Sequence, residues 1–356
     1  MTGREELEKY YQILCHDYPT FLDKYIETKM MQRLATIGQF CGSDYTNLYN
    51  CRYWYSRLDH CVACALMTWH FTGDKKQTLA ALFHDSGTPI FSHCVDYLLE
   101  DYINQESAEI NIKEVLLNSL EILNLLKEDH VLLEDVIDIE RYSIVENKKP
   151  KICVDRLEGV LHTGLIWHQF WQLEDIKEIY DDIVVLNNED NELEIGFGDL
   201  KIADKFFEGV FYYGIALQKN EDKFMMQFIA DCLRELLDKK IDFASLYTMS
   251  EKEAIDLFLS DQEIRDKWLV FVNADKLCRS DEKSNQYYSV SVDCKKRFVV
   301  PLVIDNGKVG RLDQVSKRCK NLISEYLNFN DSKYSYLEGI EKIDRRKQKR
   351  RKKITF

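Results

Sequence analysis

The sequence predicts a mainly α protein with a small inserted hairpin and a C-terminal β-containing appendage, and three observations carry that expectation. Apolar residues recur at three- and four-residue steps up to about residue 265, as in Leu79, Leu82, Phe83 and again in Val95, Leu98, Leu99, Tyr102. The stretch DIVVLNNEDNELEIGF (182–197) sets two short apolar runs around an Asn-rich turn, which reads as a hairpin between helices. Beyond 265 the texture changes: WLVFV and YYSVSVDCKKRFVVPLVIDNGKVGRL are rich in β-branched and aromatic residues and contain Asp305-Asn306-Gly307, a two-strand turn signal. The expected organisation is a helical domain over 1–265, a small β-containing region over 266–316, and a C-terminal helix with a basic tail over 317–356.

Bulk properties narrow the class. A chain of 356 residues, 45% hydrophobic with only 4 prolines and 14 glycines, can bury a large core and leaves little for linkers. The opening MTGREELEKYYQ has no apolar run of a signal peptide, and no stretch approaches the roughly 20 apolar residues of a membrane span. A cytoplasmic, non-membrane protein is expected. Its 11 cysteines, an odd number, are expected to be reduced and mostly buried. Cys61 and Cys64 form a C-x-x-C with no second pair at zinc-ribbon spacing, so core packing is the expectation for both. Net charge is −13, yet RRKQKRRKK at 345–353 gathers positive charge at one end. Such a tail can hold nucleic acid through its phosphates or stand as a solvated extension, whereas the acidic body speaks against nucleic-acid binding elsewhere.

The chemistry-bearing residues fall on three stretches. YSRLDHCVACALMTW (55–69) has helical spacing and carries Arg57 and His60 three positions apart, on nearly one face. LFHDSGTPIFSH (82–93) brings His84-Asp85 to the end of a helix expected over 75–85, where Gly87 and the pre-proline Thr88 break it. KPKICVDRLEGVLHTG (149–164) carries Asp155 on another helical stretch. Taken singly, each His or Asp is at home as a cap or a satisfied core residue; the ordered set points to a site. Two imidazoles and two carboxylates suit a divalent ion such as zinc, iron, manganese, cobalt or nickel. A water bound to such an ion loses a proton near neutral pH and can attack phosphorus, while a planar guanidinium such as that of Arg57 can hold phosphate oxygens.

This H…HD…D pattern resembles the HD-domain metal-dependent phosphohydrolases, whose ligands stand on a helical bundle. Within them, MQRLATIGQFCGSDYTNLYNCRYWYSRLDHCVACALM (31–67) is similar to the stretch before the first ligand in deoxynucleoside triphosphate triphosphohydrolases, and HDSGTPIFSH to their H-D-x-G-H-x-P-F-x-H. KKRFVVPLV (295–303) resembles a β element of their C-terminal parts. The resemblance covers 1–165 and, more loosely, the remainder. It implies an HD-type helical bundle in which His60, His84, Asp85 and Asp155 hold the metal and Arg57 contacts phosphate. It also implies Gln39 near the sugar, His93 and Asp96 beside the phosphate under attack, Arg156 as a further phosphate contact, and assembly into a homo-oligomer.

The chain departs from that pattern in places. Thr88 stands where the triphosphohydrolases carry a histidine; it is expected among the substrate-binding residues as a hydrogen-bond donor, but it cannot shuttle a proton as imidazole does. Gln105-Glu106 replaces a further histidine before glutamate, and Gly159 and Thr163 replace an aromatic and a carboxylate that contact deoxyribose. The expected function is hydrolysis of a nucleotide or related phosphate ester with altered substrate choice; the alternative is a nucleotide-binding sensor or scaffold with little turnover.

Overall fold

The structure, a computed structural model, describes residues 2–105 and 112–342; the basic segment 345–353, and with it the expected nucleic-acid contact, lies outside the described residues, as does Glu106. The protein is mainly α, with two small sheets. The helices that matter for the site are α1 (Gly3–Leu14), α2 (Arg57–Thr72), α3 (Lys75–Phe83), α4 (Cys94–Leu98), α5 (Val154–His162), α6 (Leu200–Gln218), α7 (Asn220–Lys239), α8 (Glu251–Ser260), α9 (Gln262–Val272) and α10 (Lys317–Asn328). Among the described residues no helix is long and apolar enough to cross a membrane. All the cysteines are free thiols, and Cys61 and Cys64 are fully buried, as expected of core packing.

Local sequence sets the ends of the two helices that carry the histidines. Ser56 and Asp59 form a reciprocal capping box that starts α2, and Gly73, in the left-handed region at φ 59°, ends it. Asp74 then accepts from the backbone N–H groups of Lys76 and Gln77 and starts α3 at once. The helix stops at Phe83, short of the expected 85, so His84 is its C-terminal cap and Asp85 lies just beyond. From Arg57 to Thr68 every residue of α2 except Asp59 is buried, and α3 and α5 pack against it.

Two hydrophobic cores organise the chain. The first gathers α1, α2, α3, α5 and α6 around residues such as Leu7, Leu66, Leu82, Leu157 and Phe206. The second gathers α4, α7, α8 and α9 around Val95, Phe228, Phe258 and Trp268. LFHDSGTPIFSH passes from one to the other: Leu82 and Phe83 belong to the first core, Ile90 and Phe91 to the second.

The strands are β1 (Ile183–Asn187), β2 (Leu193–Phe197), β3 (Cys278–Ser280), β4 (Tyr287–Val290), β5 (Leu302–Asp305), β6 (Lys308–Arg311) and β7 (Tyr334–Glu341). The inserted hairpin and the Asp305-Asn306-Gly307 hairpin combine into one sheet, β1-β2-β5-β6, through parallel pairing of β2 with β5. β3, β7 and β4 form the second sheet. Buried Arg311 fastens the first one. Its guanidinium donates to both Glu194 and Glu189, and Glu194 also accepts from the Ile152 N–H, just ahead of the Asp155 helix.

Two expectations about this region are corrected. WLVFV is the C-terminal half of α9: Ile264, Trp268 and Phe271 are buried at helical spacing against the second core, so period 3.6 prevails over β propensity, and the helix runs through the expected boundary at 265. KKRFVVPLV is a strand only from Leu302; Val300 donates to the Pro150 carbonyl instead, and Pro301 has no N–H to offer a neighbour.

Candidate metal centre

α2, the end of α3 and α5 bring His60, His84, Asp85 and Asp155 together. His60 Nε2 lies 3.2 Å from His84 Nε2, 3.2 Å from Asp155 Oδ1 and 3.7 Å from Asp85 Oδ2. His84 Nε2 lies 3.5 Å from Asp85 Oδ2 and 3.6 Å from Asp155 Oδ1. Donor atoms held at roughly 2.1 Å around one ion stand about 3 to 3.5 Å apart, so this spacing is that of a shared ligand sphere.

The tautomers support the same reading. His60 Nδ1 donates to Glu158 Oε2, and His84 Nδ1 donates to the Ala81 carbonyl at 2.7 Å. Each Nε2 therefore presents a lone pair, and two lone pairs face each other with two carboxylate oxygens beside them. Four converging acceptors repel unless a cation or protons sit among them. The surroundings of the two rings favour a proton there. Burial works against charging His60 and His84, but Cys64 and Glu158 outweigh it at His60, and Asp85 and Asp155 at His84, raising both. Burial is likewise outweighed at Asp85, where His84 and Arg57 bring the carboxyl down to about 2, and at Asp155, which His60 and His84 hold well below the usual range. A divalent ion, if held here, would take the place of those protons.

His60, His84 and Asp155 meet within 4.8 Å of one another together with Cys64, whereas Asp85 reaches only the two histidines. Cys64 Sγ is 3.9 Å from His60 Nδ1 and 3.8 Å from Nε2, so it stands beside the ring rather than along the Nε2 lone pair.

Glu158 anchors the centre from behind. It has no exposed surface, and its carboxylate accepts from His60, from His162 Nδ1 at 2.6 Å, from Tyr55 Oη at 2.7 Å and from Tyr10 Oη at 3.1 Å. These donors leave it ionised despite burial. Sequence reasoning passed over Glu158, His162, Tyr10 and Tyr55. The signal was present in DRLEGVLH, where Glu158 and His162 follow Asp155 at three and seven positions on one helical face.

On the other side of the centre a cleft of about 1090 Å³ opens between the two cores, lined by Arg57, His60, Asp85, His93 and Asp155 among others. Arg57 donates to Asp85 at 2.7 Å and to Ser92 Oγ at 2.9 Å, while its buried Nε has no partner among the described residues. His93 Nδ1 meets Asp96 Oδ2 at 3.0 Å, which leaves the other ring nitrogen to the cleft wall. Burial lowers the His93 pKa although Asp96 opposes it, so the ring is neutral near pH 7. The residues before it are strained: Phe91 and Ser92 have φ of 54° and 48°. Each costs roughly 1 to 3 kcal/mol. Full burial of the Phe91 ring returns about 2 to 3 kcal/mol, and Glu251 accepts its N–H at 2.8 Å.

Gln39 lines the cleft, with a buried Oε1 that has no partner. Two expected contacts are placed differently. Arg156 reaches the cleft wall, but its donors go to Glu146, the Asn147 side chain and carbonyl, and the Lys151 carbonyl, so it clamps the loop leading to Asp155. Thr88 does not line the cleft; its N–H closes the turn onto the Asp85 carbonyl and its own carbonyl accepts from Arg33. Gly159 and Thr163 both line the cleft, and a Cβ at Gly159 would meet nothing within 4 Å. Gln105 accepts from Arg297, itself a cleft residue.

Fold and site together define a mainly helical protein with a candidate divalent-metal centre. No described protein family matches the chain. The uncharacterized protein YdhJ of Bacillus subtilis (strain 168) is 26% identical over 199 residues, 55% of this chain and 57% of its own length. The chain thus matches little more than half of that relative. A crystal structure of a hypothetical protein from Aquifex aeolicus superposes with a TM-score of 0.60 at 14% identity, covering 90% of this chain and 93% of that one, which is a likeness of fold.

Proposed function

We propose that this protein is an HD-type, metal-dependent phosphohydrolase acting on a nucleotide or related phosphate ester. The observation that carries the proposal is the convergence of His60, His84, Asp85 and Asp155 on one point at the wall of a cleft that also presents cations and a His-Asp pair. When bound, a divalent ion supplies an acidified water and neutralises phosphate charge. The chain does the rest. Nε2 of each ligand histidine is kept as a lone pair by Glu158 and the Ala81 carbonyl, and Arg57 fixes Asp85 while lining the cleft. His93, neutral and oriented by Asp96, is able to take a proton on Nε2. Lys149, Lys295 and Arg297 also stand on the cleft wall, where they can meet the anionic end of a substrate.

Metal quantification of the purified protein, followed by product identification across a nucleotide panel, tests this. Stoichiometric divalent metal with release of phosphate, pyrophosphate or triphosphate is expected, and Asp85→Ala should lose both metal and release. Full metal with nucleotide binding but no product would leave a sensor or scaffold instead. An active, metal-free Asp85→Ala protein would sink the site assignment.

A further inference from the structure

The cleft has a second pole. Asp222, in the first turn of α7, lines it beside Tyr97, Met226 and Leu217 and is only 6% exposed. Among the described residues its carboxylate has no hydrogen-bond donor and no ion-pair partner. Burial holds it up to about 7, against the pull of Arg297 and Lys223. The Arg297 side chain donates to Gln105 instead. The Asp222 carboxylate oxygens are not sealed off from the cleft that this residue lines, so they are available to donors of a bound molecule.

Other groups on the same walls are also unpaired. Among the described residues Gln39 Oε1 and Trp167 Nε1 are both buried without partners. Gly159, on the Asp155 helix, leaves open space where a side chain would otherwise fill the cleft. The Asp222 carboxylate beside this free volume makes a stretch of wall that a ligand can complete. The Arg57 and His93 side of the cleft suits phosphate; the Asp222 side suits the uncharged remainder of the substrate.

Resting on the phosphohydrolase reading, we propose that Asp222 is a specificity-determining residue that accepts a pair of neighbouring hydrogen-bond donors from the non-phosphate end of the substrate. Two carboxylate oxygens side by side match two parallel donors, as in a bidentate carboxylate pair. On a nucleotide that chemistry occurs in two places, the adjacent ring N–H and amino group of guanine and the vicinal diol of ribose.

Calorimetry on the metal-loaded protein with GMP, IMP and 2′-deoxy-GMP distinguishes them. IMP lacks the amino group, and 2′-deoxy-GMP lacks one hydroxyl of the diol. Binding weakened about tenfold or more for IMP identifies the base edge, and the same loss for 2′-deoxy-GMP identifies the diol. Asp222→Asn, with metal content matched to the wild type, should erase whichever discrimination is present. Equal binding of all three ligands by the wild-type protein overturns the proposal without depending on any variant. So does failure of all three to bind, or discrimination unchanged in Asp222→Asn. Because calorimetry needs no turnover, discrimination without product would sink the hydrolase reading and spare Asp222, and turnover without discrimination would do the reverse.

Discussion

Glu158 is joined to both His60 and His162 through their Nδ1 atoms, so one buried carboxylate fixes the ring whose Nε2 is a candidate metal ligand and ties that ring of α2 to His162 at the C-terminal end of α5. Removing such an outer partner weakens metal binding by roughly 10- to 100-fold. Glu158→Gln should weaken divalent-metal affinity by about that factor while His60, His84, Asp85 and Asp155 remain in place. Competition with a metallochromic chelator measures it, and affinity unchanged from wild type would refute the assignment.

His93 and Asp96 are expected to act on protons rather than on binding. Proton-transfer residues contribute roughly 10²- to 10⁴-fold. His93→Ala should lower kcat by about that range with little change in KM and full metal content. Because burial lowers the His93 pKa, the wild-type rate should rise with pH to a plateau with an apparent pKa below 6.5. A steady-state pH profile checks this, and a limb above 6.5 would assign the titration to another group.

Gly159 sits inside a helix with open space at its Cβ position. Gly159→Ala should stabilise the fold by about 0.5 to 1 kcal/mol, because the backbone freedom lost on folding is smaller and nothing is struck. A larger Gly159→Tyr should fold equally well but raise KM by filling the cleft. Denaturant melts and steady-state kinetics on both variants separate the two effects.

Thr88→His provides a sharper contrast with the sequence. Because Thr88 lies outside the cleft lining, restoring a histidine there should change kcat/KM by no more than about threefold, far less than the proton-transfer range. A gain of two orders of magnitude would show that position 88 reaches the substrate after all.

Glu251 predicts how stability depends on pH. It is fully buried, and burial holds its carboxyl up to about 7 from an ordinary 4.5, despite the Tyr45 hydroxyl and the Phe91 N–H that donate to it. Between those values the folded state keeps a proton that the unfolded state has released, so stability falls as pH rises through this window and stays lower above it. Glu251→Gln should remove that fall, gaining on the order of 2 kcal/mol over wild type at pH 8 and little at pH 4. Urea melts at the two pH values decide it.

The parts of the site that were legible in the sequence are those set by local rules. The Ser56 cap, Gly73 and Asp74 dictate where α2 begins and ends and where α3 begins, and so bring His60 and His84 to neighbouring positions, although α3 ends at Phe83, ahead of the Gly87-Thr88-Pro89 break. What stayed hidden depends on distant partners. Arg156 looks like a free cation in sequence and is consumed by Glu146 and Asn147; Asp222 looks like a solvated helix-start residue and is buried on a cavity wall. WLVFV failed for another reason: five apolar residues satisfy both periods, and only packing against the second core decides between them.

The passage of LFHDSGTPIFSH between two cores has a mechanical consequence. His60, His84 and Asp155 are anchored in one hydrophobic body, while His93 and Asp96 ride on another, with Arg57 bridging the joint through Asp85 and Ser92. On the proposed reading, metal capture and proton handling would belong to separate cores. Loosening the second half, for instance by truncating Trp268, should disengage the machinery while the first half keeps its grip on the ion: a clutch released with the engine still mounted.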